Sequence, residues 1–81
     1  MNVIFSRDSQ KVLARLDSPT KQRIKQGILK LPGGNVKPLK GTQGIYRLRI
    51  GAWRILFSHI GDDFFIRDIG PRGDIYKGDF E

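Results

Sequence analysis

The chain has 81 residues, which fits one small domain spanning 1–81, and its 38% hydrophobic and 28% charged residues exclude a disordered chain. It has no cysteine, which excludes disulfides and thiolate metal sites, and no apolar run reaches the roughly 18 residues of a membrane span. Fifteen basic residues against 8 acidic ones give a net charge of +7, which favours a polyanionic partner: nucleic acid, an acidic protein or an anionic membrane surface.

The first third of the chain predicts one strand and two helices. Residues 2–5 (NVIF) form a short apolar run, and Ser6 is expected to cap a helix over residues 7–16. Ser18 and Pro19 then fit the cap and first residue of a second helix that runs to about residue 31. The short joint predicts an αα-hairpin. The N-terminus lacks a basic start followed by a long apolar run, so no signal peptide is expected and a cytoplasmic location is natural.

The middle of the chain predicts a loop followed by a β-hairpin. Residues 36–44 (VKPLKGTQG) are basic and rich in glycine, so they are expected to form the loop. The stretch 45–60 (IYRLRIGAWRILFSHI) alternates apolar and polar residues around Gly51 and Ala52, as a hairpin does. Antiparallel pairing then sets Arg49 opposite Arg54. One face carries Tyr46, Leu48, Ile50, Trp53, Ile55 and Phe57, and the other carries Arg47, Arg49 and Arg54.

The last part of the chain predicts a third strand and completes the fold class. A turn at residues 61–63 leads into a strand over residues 64–69, which residues 70–73 break and residues 74–77 are expected to resume briefly. With a two-residue turn, Phe64 and Ile66 face the core, while Phe65, Arg67 and Ile69 share the arginine face; a longer turn would reverse this. The predicted fold is α+β, in the order β-α-α-β-β-β. A two-helix hairpin packs on one face of a small antiparallel sheet and leaves the arginine face open.

The first candidate site is the group of Arg47, Arg49 and Arg54. Like charges placed opposite each other destabilise a sheet, and guanidinium groups present planar donor forks that suit phosphate. Together with Lys37 and Lys40 from the preceding loop, they would make a phosphodiester cradle. The alternative is that these arginines are solvated residues on an exposed face, and the pattern leaves both interpretations open.

The second candidate site is formed by Arg72 and Tyr76. Glycines on both sides of Pro71 and Arg72 indicate a tight turn that holds the arginine at the sheet edge. Tyr76 could stack on a base or present its hydroxyl to a reacting group. The alternative is a turn arginine and a tyrosine that packs against the end of the sheet.

Other residues offer little catalytic chemistry. His59 is the only histidine and is more readily interpreted as structural than as a general base, and the scattered acids give it no metal-binding partners. Trp53 could stack on a base, but the alternation of the strand favours a position in the core. The sequence has no nucleophile motif and no glycine-rich phosphate loop opening a helix, so neither a metal nor a cofactor is expected.

The order of elements, the loop VKPLKG leading into YRLRIGAWRILF, and the closing IGPRGDIYK resemble the RelE/ParE superfamily of bacterial toxins. The resemblance spans most of the chain and is most specific in the hairpin and the closing segment. In the RelE branch it implies a type II toxin–antitoxin toxin, an endoribonuclease that enters the ribosomal A site and cuts the bound mRNA. It also implies a cognate antitoxin that wraps the toxin and neutralises it.

Carried over by position, the resemblance assigns catalysis to Arg47, Arg49, Arg54, Arg72 and Tyr76. Lys37, Lys40 and Arg67 are further RNA-binding candidates because they are basic. The implied reaction is attack by a ribose 2′-hydroxyl on the adjacent phosphate, with the arginines stabilising the pentacoordinate state and Tyr76 assisting proton transfer. Two other interpretations remain: a ParE-like inhibitor of DNA gyrase without nuclease activity, and a degenerate member that only binds an acidic partner.

Three departures from the family pattern bear on these assignments. Arg47 and Arg49 stand where the RelE branch can use lysines, and arginine is a poorer proton carrier than lysine. Pro71 stands where some relatives have a histidine before the arginine. Many relatives continue into a C-terminal helix, whereas this sequence stops at Glu81, a difference expected to affect antitoxin binding or the exposure of the sheet.

Overall fold

The computed structural model describes residues 2–71, in which two helices cover one face of a five-stranded sheet. In chain order the elements are β1 (Asn2–Phe5), α1 (Arg7–Arg15), α2 (Ser18–Leu29), β2 (Asn35–Pro38), β3 (Ile45–Ile50), β4 (Trp53–Ile60) and β5 (Asp63–Pro71). The strands lie in the order β1-β5-β4-β3-β2, with β1 parallel to β5 and the other neighbours antiparallel. The α+β class and the succession β-α-α-β-β-β are confirmed, and β2 joins the sheet as an additional edge strand. The sheet, predicted to be antiparallel, is mixed, because β1 pairs in parallel with β5. The strand resumption predicted for residues 74–77 lies outside the described residues.

Both helices begin at a side chain that satisfies a free backbone donor. The hydroxyl of Ser6 accepts from the Ser9 N–H at 3.1 Å, as predicted for the cap of α1. The cap of α2 is Asp17, whose carboxylate accepts from the Thr20 N–H at 3.3 Å, and Ser18, the predicted cap, is the first helical residue. A carboxylate suits this position because the helix N-terminus carries partial positive charge.

The β3–β4 hairpin has the predicted register. Leu48 lies opposite Ile55 and Ile50 opposite Trp53, and the turn between them includes Gly51 at φ +58°. Within residues 2–71, the main core joins this apolar face to the helices and to β5. Its buried members are Leu13, Ile24, Ile28, Leu31, Leu48, Ile55, Phe57, Phe64, Ile66 and Ile69. Tyr46, Ile50 and Trp53 are partly buried against that core, so the predicted apolar face is confirmed.

Part of the predicted loop over residues 36–44 is instead the edge strand β2. Val36 lies opposite Leu48, and Lys37 opposite Arg47. Four residues with this composition have little strand propensity of their own, and the hydrogen bonds offered by the edge of β3 stabilise them in the sheet. Pro38, which has no N–H to donate, is tolerated at the end of an edge strand.

The segment after β2 covers part of the sheet face that was predicted to be open. Leu39 donates its N–H to the carbonyl of Ile45 at 2.9 Å, and its side chain is 5% exposed. It packs with Leu56 and Ile45 in a second, smaller apolar cluster on the face away from the helices. The hydroxyl of Thr42 closes the turn by donating to the Leu39 carbonyl at 2.8 Å.

A bulge in β5 corrects one predicted side-chain placement. Leu56 pairs with Asp68 while the next residue of β4, Phe57, pairs with Ile66, so Arg67 is an extra residue on β5. The extra residue shifts the alternation by one position. Ile69, predicted on the arginine face, is therefore in the core and 2% exposed.

Candidate nucleic-acid interface

The three hairpin arginines share the sheet face opposite the helices. Arg47 and Arg49 alternate with the core residue Leu48 on β3, and Arg54 alternates with the core residue Ile55 on β4. The register places Arg49 directly opposite Arg54. The predicted clustering of these side chains on one face follows from the hairpin register alone.

The three arginines differ in their exposure. Arg49 is exposed, whereas Arg47 and Arg54 retain only 8% and 4% of their possible exposure. The Coulombic attraction between these two buried arginines and an anion would be stronger than at the surface, because the effective dielectric constant is lower there, and the loss of the anion's hydration would oppose it. Arg49 is the member of the group that solvent, and hence an arriving polyanion, meets first.

Two lysines extend this positive surface along the sheet edge. Lys37 on β2 lies opposite Arg47 and is exposed, and Lys40 is exposed just after β2. Asp68 is an acidic residue on the same face, opposite Leu56, and its carboxylate accepts from the Ile69 N–H at 3.0 Å. The two lysines lie on the β2 side of the arginines and Asp68 on the β5 side, so positive charge is concentrated toward β2.

Arg67 is separated by strand β4 from two of the three hairpin arginines. It lies at the bulge of β5, whereas Arg47 and Arg49 lie on β3; Arg54 is on β4, the neighbour of β5, and pairs with Gly70. Arg67 is exposed and borders a groove of about 320 Å³ between β1 and β5. The sheet therefore presents two basic regions, one at β2–β4 and one at the β1–β5 edge.

Arg72 and Tyr76, the second candidate site, lie outside the described residues, so their placement beside the arginines stays a prediction. Pro71, the last residue of β5, lies opposite Trp53. Gly70 lies opposite Arg54 in the β4–β5 ladder.

His59 and Trp53 both contact residues of the main core. The imidazole ring of His59 stacks on the ring of Phe64, with 4.2 Å between centroids and 21° between planes. Trp53 packs against the main core. Within residues 2–71, no group of three or more histidine, cysteine or acidic side chains could hold a metal ion, and no helix is long and apolar enough to cross a membrane.

Sequence reasoning missed the burial of Arg47 and Arg54 and the small cluster of Leu39 and Leu56. Alternation gives the face of a side chain but not the depth at which it lies. One signal was available, since Leu56 is an apolar residue between Arg54 and Ser58 on a face read as polar. An apolar residue there indicates that a second apolar side chain covers it.

Comparison with solved structures places the fold among toxin–antitoxin proteins. The chain is similar to a chain of the RelB–RelE antitoxin–toxin complex from Methanococcus jannaschii, with 28% identity, a TM-score of 0.74, and 91% of this chain and 95% of that chain covered. It shares its fold with a chain of the E. coli RelBE complex at 18% identity and TM-score 0.66, covering 85% and 93% of the two chains. A chain of the RelE–RelB complex from Pyrococcus horikoshii matches at 21% identity and TM-score 0.68, covering 90% and 96%. No family sequence model and no curated protein sequence matches the chain.

Proposed function

Since this chain belongs to the RelE-like toxin superfamily, we propose that it is the toxin of a type II toxin–antitoxin pair and cleaves mRNA bound in the ribosomal A site. The partner that restrains it is a cognate antitoxin, by analogy with the RelB–RelE complexes whose fold it shares. We infer that it acts in the cytoplasm, because its target is the translating ribosome.

The observation that carries this proposal is the arginine face. Three guanidinium groups occupy adjacent positions of one hairpin, two of them sheltered from water, on a chain of net charge +7. Arg49 and Arg54 face each other, and because like charges directly opposite each other destabilise a sheet, an anion bound beside them would offset part of that cost. A phosphodiester backbone is an anion of suitable size and charge.

The proposed reaction is a transesterification. The ribose 2′-oxygen forms a bond to the adjacent phosphorus as the bond from phosphorus to the 5′-oxygen breaks, leaving a 2′,3′-cyclic phosphate and a 5′-hydroxyl. The 2′-hydroxyl releases one proton, and the leaving 5′-oxygen takes one up. Arg47, Arg49, Arg54 and Arg72 would stabilise the extra negative charge of the pentacoordinate phosphorus.

The chain offers fewer candidate groups for proton transfer than for charge stabilisation in this mechanism. Tyr76 is the proposed participant, and a tyrosine with an ordinary pKa near 10 is a reluctant base at neutral pH. We infer that most of the acceleration comes from charge stabilisation and from the ribosome, which positions the message for in-line attack. Lys37, Lys40 and Arg67 would bind phosphates that do not react.

The experiment that tests the proposal maps mRNA cleavage on programmed ribosomes with the purified full chain. Cleavage within the A-site codon is expected. Arg72→Ala should lower the cleavage rate by about 10²–10³-fold, as removal of one charge-stabilising donor does, while the thermal unfolding midpoint stays within a few degrees. Arg15→Ala, which removes an exposed arginine from α1 on the other layer, is the matched control and should cleave normally.

One result would contradict the proposed function, and another would contradict only the assignment of Arg72. If the wild-type chain does not cleave mRNA and its expression instead causes DNA damage, the gyrase-inhibitor interpretation takes its place. If the chain cleaves and Arg72→Ala retains full activity, the nuclease assignment stands and Arg72 is removed from the site.

A further inference from the structure

The bulge in β5 is held in place by the junction of β1 and α1. Arg67 is the extra residue, so its carbonyl lies outside the regular ladder and needs a donor from elsewhere. The hydroxyl of Ser6 donates to that carbonyl at 2.8 Å, and the Ser6 N–H donates to the Ile66 carbonyl at 2.9 Å. The hydroxyl of Ser9, a fully buried residue, lies 3.3 Å from the same Ile66 oxygen. These contacts fix the backbone on which the Arg67 side chain stands.

A groove of about 320 Å³ lies beside this junction. It is lined by Ile4, Phe5, Ser6, Phe65, Ile66 and Arg67. Ile4 is 43% exposed, Phe65 is half-buried and Arg67 is exposed. The volume is at the small end of the range for ligand sites, which suits a single planar group.

The groove lies on the same sheet face as the hairpin arginines. Ile4 pairs with Phe65 and Phe65 pairs with Ser58, which alternates with the core residue Phe57. Ser58 is four residues from Arg54 along β4, a distance of about 13 Å at the rise of an extended strand. An RNA strand held at Arg54 crosses that distance in a few nucleotides.

We propose that this groove is a subsite for one unpaired nucleotide of the RNA, whose base stacks on Phe65 and whose phosphate binds Arg67. The inference rests on the proposed function, since it takes RNA as the ligand. Aromatic rings and arginine forks are the groups that bind single-stranded RNA without requiring a particular base. The apolar lining of the groove itself is small, consisting of the exposed Ile4 and the half-buried Phe5 and Phe65, and it has a cation at its rim, which suits one base.

The test measures RNA binding separately from cleavage. The full chain is titrated into a fluorescent single-stranded RNA whose 2′-hydroxyls are methylated, so that it binds without being cut, and anisotropy gives the affinity. Phe65→Leu keeps the apolar bulk and removes the aromatic face, and it should bind about 5- to 100-fold more weakly. Phe65→Tyr keeps the ring and should bind within about twofold of wild type.

The charge component has its own pair of variants. Arg67→Gln should lower the slope of log affinity against log salt concentration by about 0.7, the value for one lost contact to a single strand. Lys11→Gln removes one exposed charge from α1 and should leave the slope unchanged. Circular dichroism of each variant checks that the fold is intact.

The outcomes distinguish the subsite from the nuclease proposal. A wild-type chain that cleaves mRNA, with Phe65→Leu and Arg67→Gln both binding RNA like wild type, overturns the subsite and leaves the nuclease standing. Loss of affinity in these variants of a chain that does not cleave supports the subsite and overturns the nuclease. A wild-type chain that fails to bind the RNA overturns the subsite. The subsite is also overturned if Phe65→Leu and Arg67→Gln lower the affinity for the antitoxin and leave the affinity for RNA unchanged.

Discussion

Replacing Arg49 with glutamine should stabilise the protein and, under the proposed function, lower its affinity for RNA. Arg49 is exposed and directly opposite Arg54, so the two like charges meet across one pair of the β3–β4 ladder. Such a pair destabilises a sheet by about 0.2–1 kcal/mol. Arg49→Gln should therefore raise the free energy of unfolding by that amount, and for a domain of this size 1 kcal/mol corresponds to about 4–8 °C in the unfolding midpoint.

The assay combines calorimetry at several salt concentrations with RNA binding. The gain in stability should shrink as salt rises, because the Debye length falls from about 30 Å at 0.01 M to about 10 Å at 0.1 M. In parallel, the salt slope of RNA affinity should fall by about 0.7 for the lost phosphate contact. Lys11→Gln, on the helical layer, is the control and should change neither quantity. An Arg49→Gln protein that is less stable than wild type at low salt would refute the repulsion argument, and an unchanged slope would remove Arg49 from the RNA site.

Three further predictions concern the fold. Leu48→Asp should unfold the domain at 25 °C, as measured by circular dichroism. Leu48 is 2% exposed, and burying a carboxylate costs several kcal/mol, whereas the total stability of such a domain is about 4–12 kcal/mol. A folded variant would contradict the assigned core face. Hydrogen bonds from the side chain and the N–H of Thr20 lower the pKa of Asp17, so the unfolded chain takes up this proton at a higher pH than the folded one. The stabilisation is therefore complete above the ordinary pKa of about 3.9 and is lost as pH falls below it. In Asp17→Asn, the free energy of unfolding, measured with urea, should therefore decrease less as the pH is lowered into the acid range than it does in wild type. An identical pH dependence in the two proteins would contradict the contribution of the Asp17 cap. Gly51→Ala should lower the free energy of unfolding in the same assay by about 1–2 kcal/mol, because Gly51 has φ +58° and the added Cβ would lie 3.0 Å from a guanidinium nitrogen of Arg23. An unchanged stability would contradict this reasoning.

The parts of the fold that follow from the sequence are those set by local periodicity. Alternation on both sides of a turn glycine, interrupted only at Leu56, determines both the β3–β4 register and the face of each arginine, so the pairing of Arg49 with Arg54 could be predicted from the sequence. The Ser6 cap was equally local, since the capping hydroxyl and the Ser9 N–H that donates to it are three residues apart.

The parts that could not be predicted depend on distant neighbours. The bulge at Arg67 is stabilised by Ser6, 61 residues away in the chain. Its one trace in the sequence is the pair of consecutive polar residues Arg67 and Asp68 between two isoleucines, which interrupts the alternation without showing how the strand accommodates it. The Ile69 prediction was wrong for that reason. β2 was missed because its stability comes from the open edge of β3, and the burial of Arg47 and Arg54 is a property of the assembled face that no single strand encodes.

The parallel pairing of β1 with β5 has a consequence for how the chain folds during synthesis. Asn2 pairs with Asp63 and Phe5 with Ile66. Strand β1, which is synthesised first, therefore cannot enter the sheet until β5, the last described strand, has been synthesised. The β3–β4 hairpin is local and can form earlier, since closing a short loop costs less entropy than closing a long one. A growing chain can thus present its hairpin arginines before its β1–β5 edge exists, and the groove beside Arg67 appears only in a chain that has been made past residue 67.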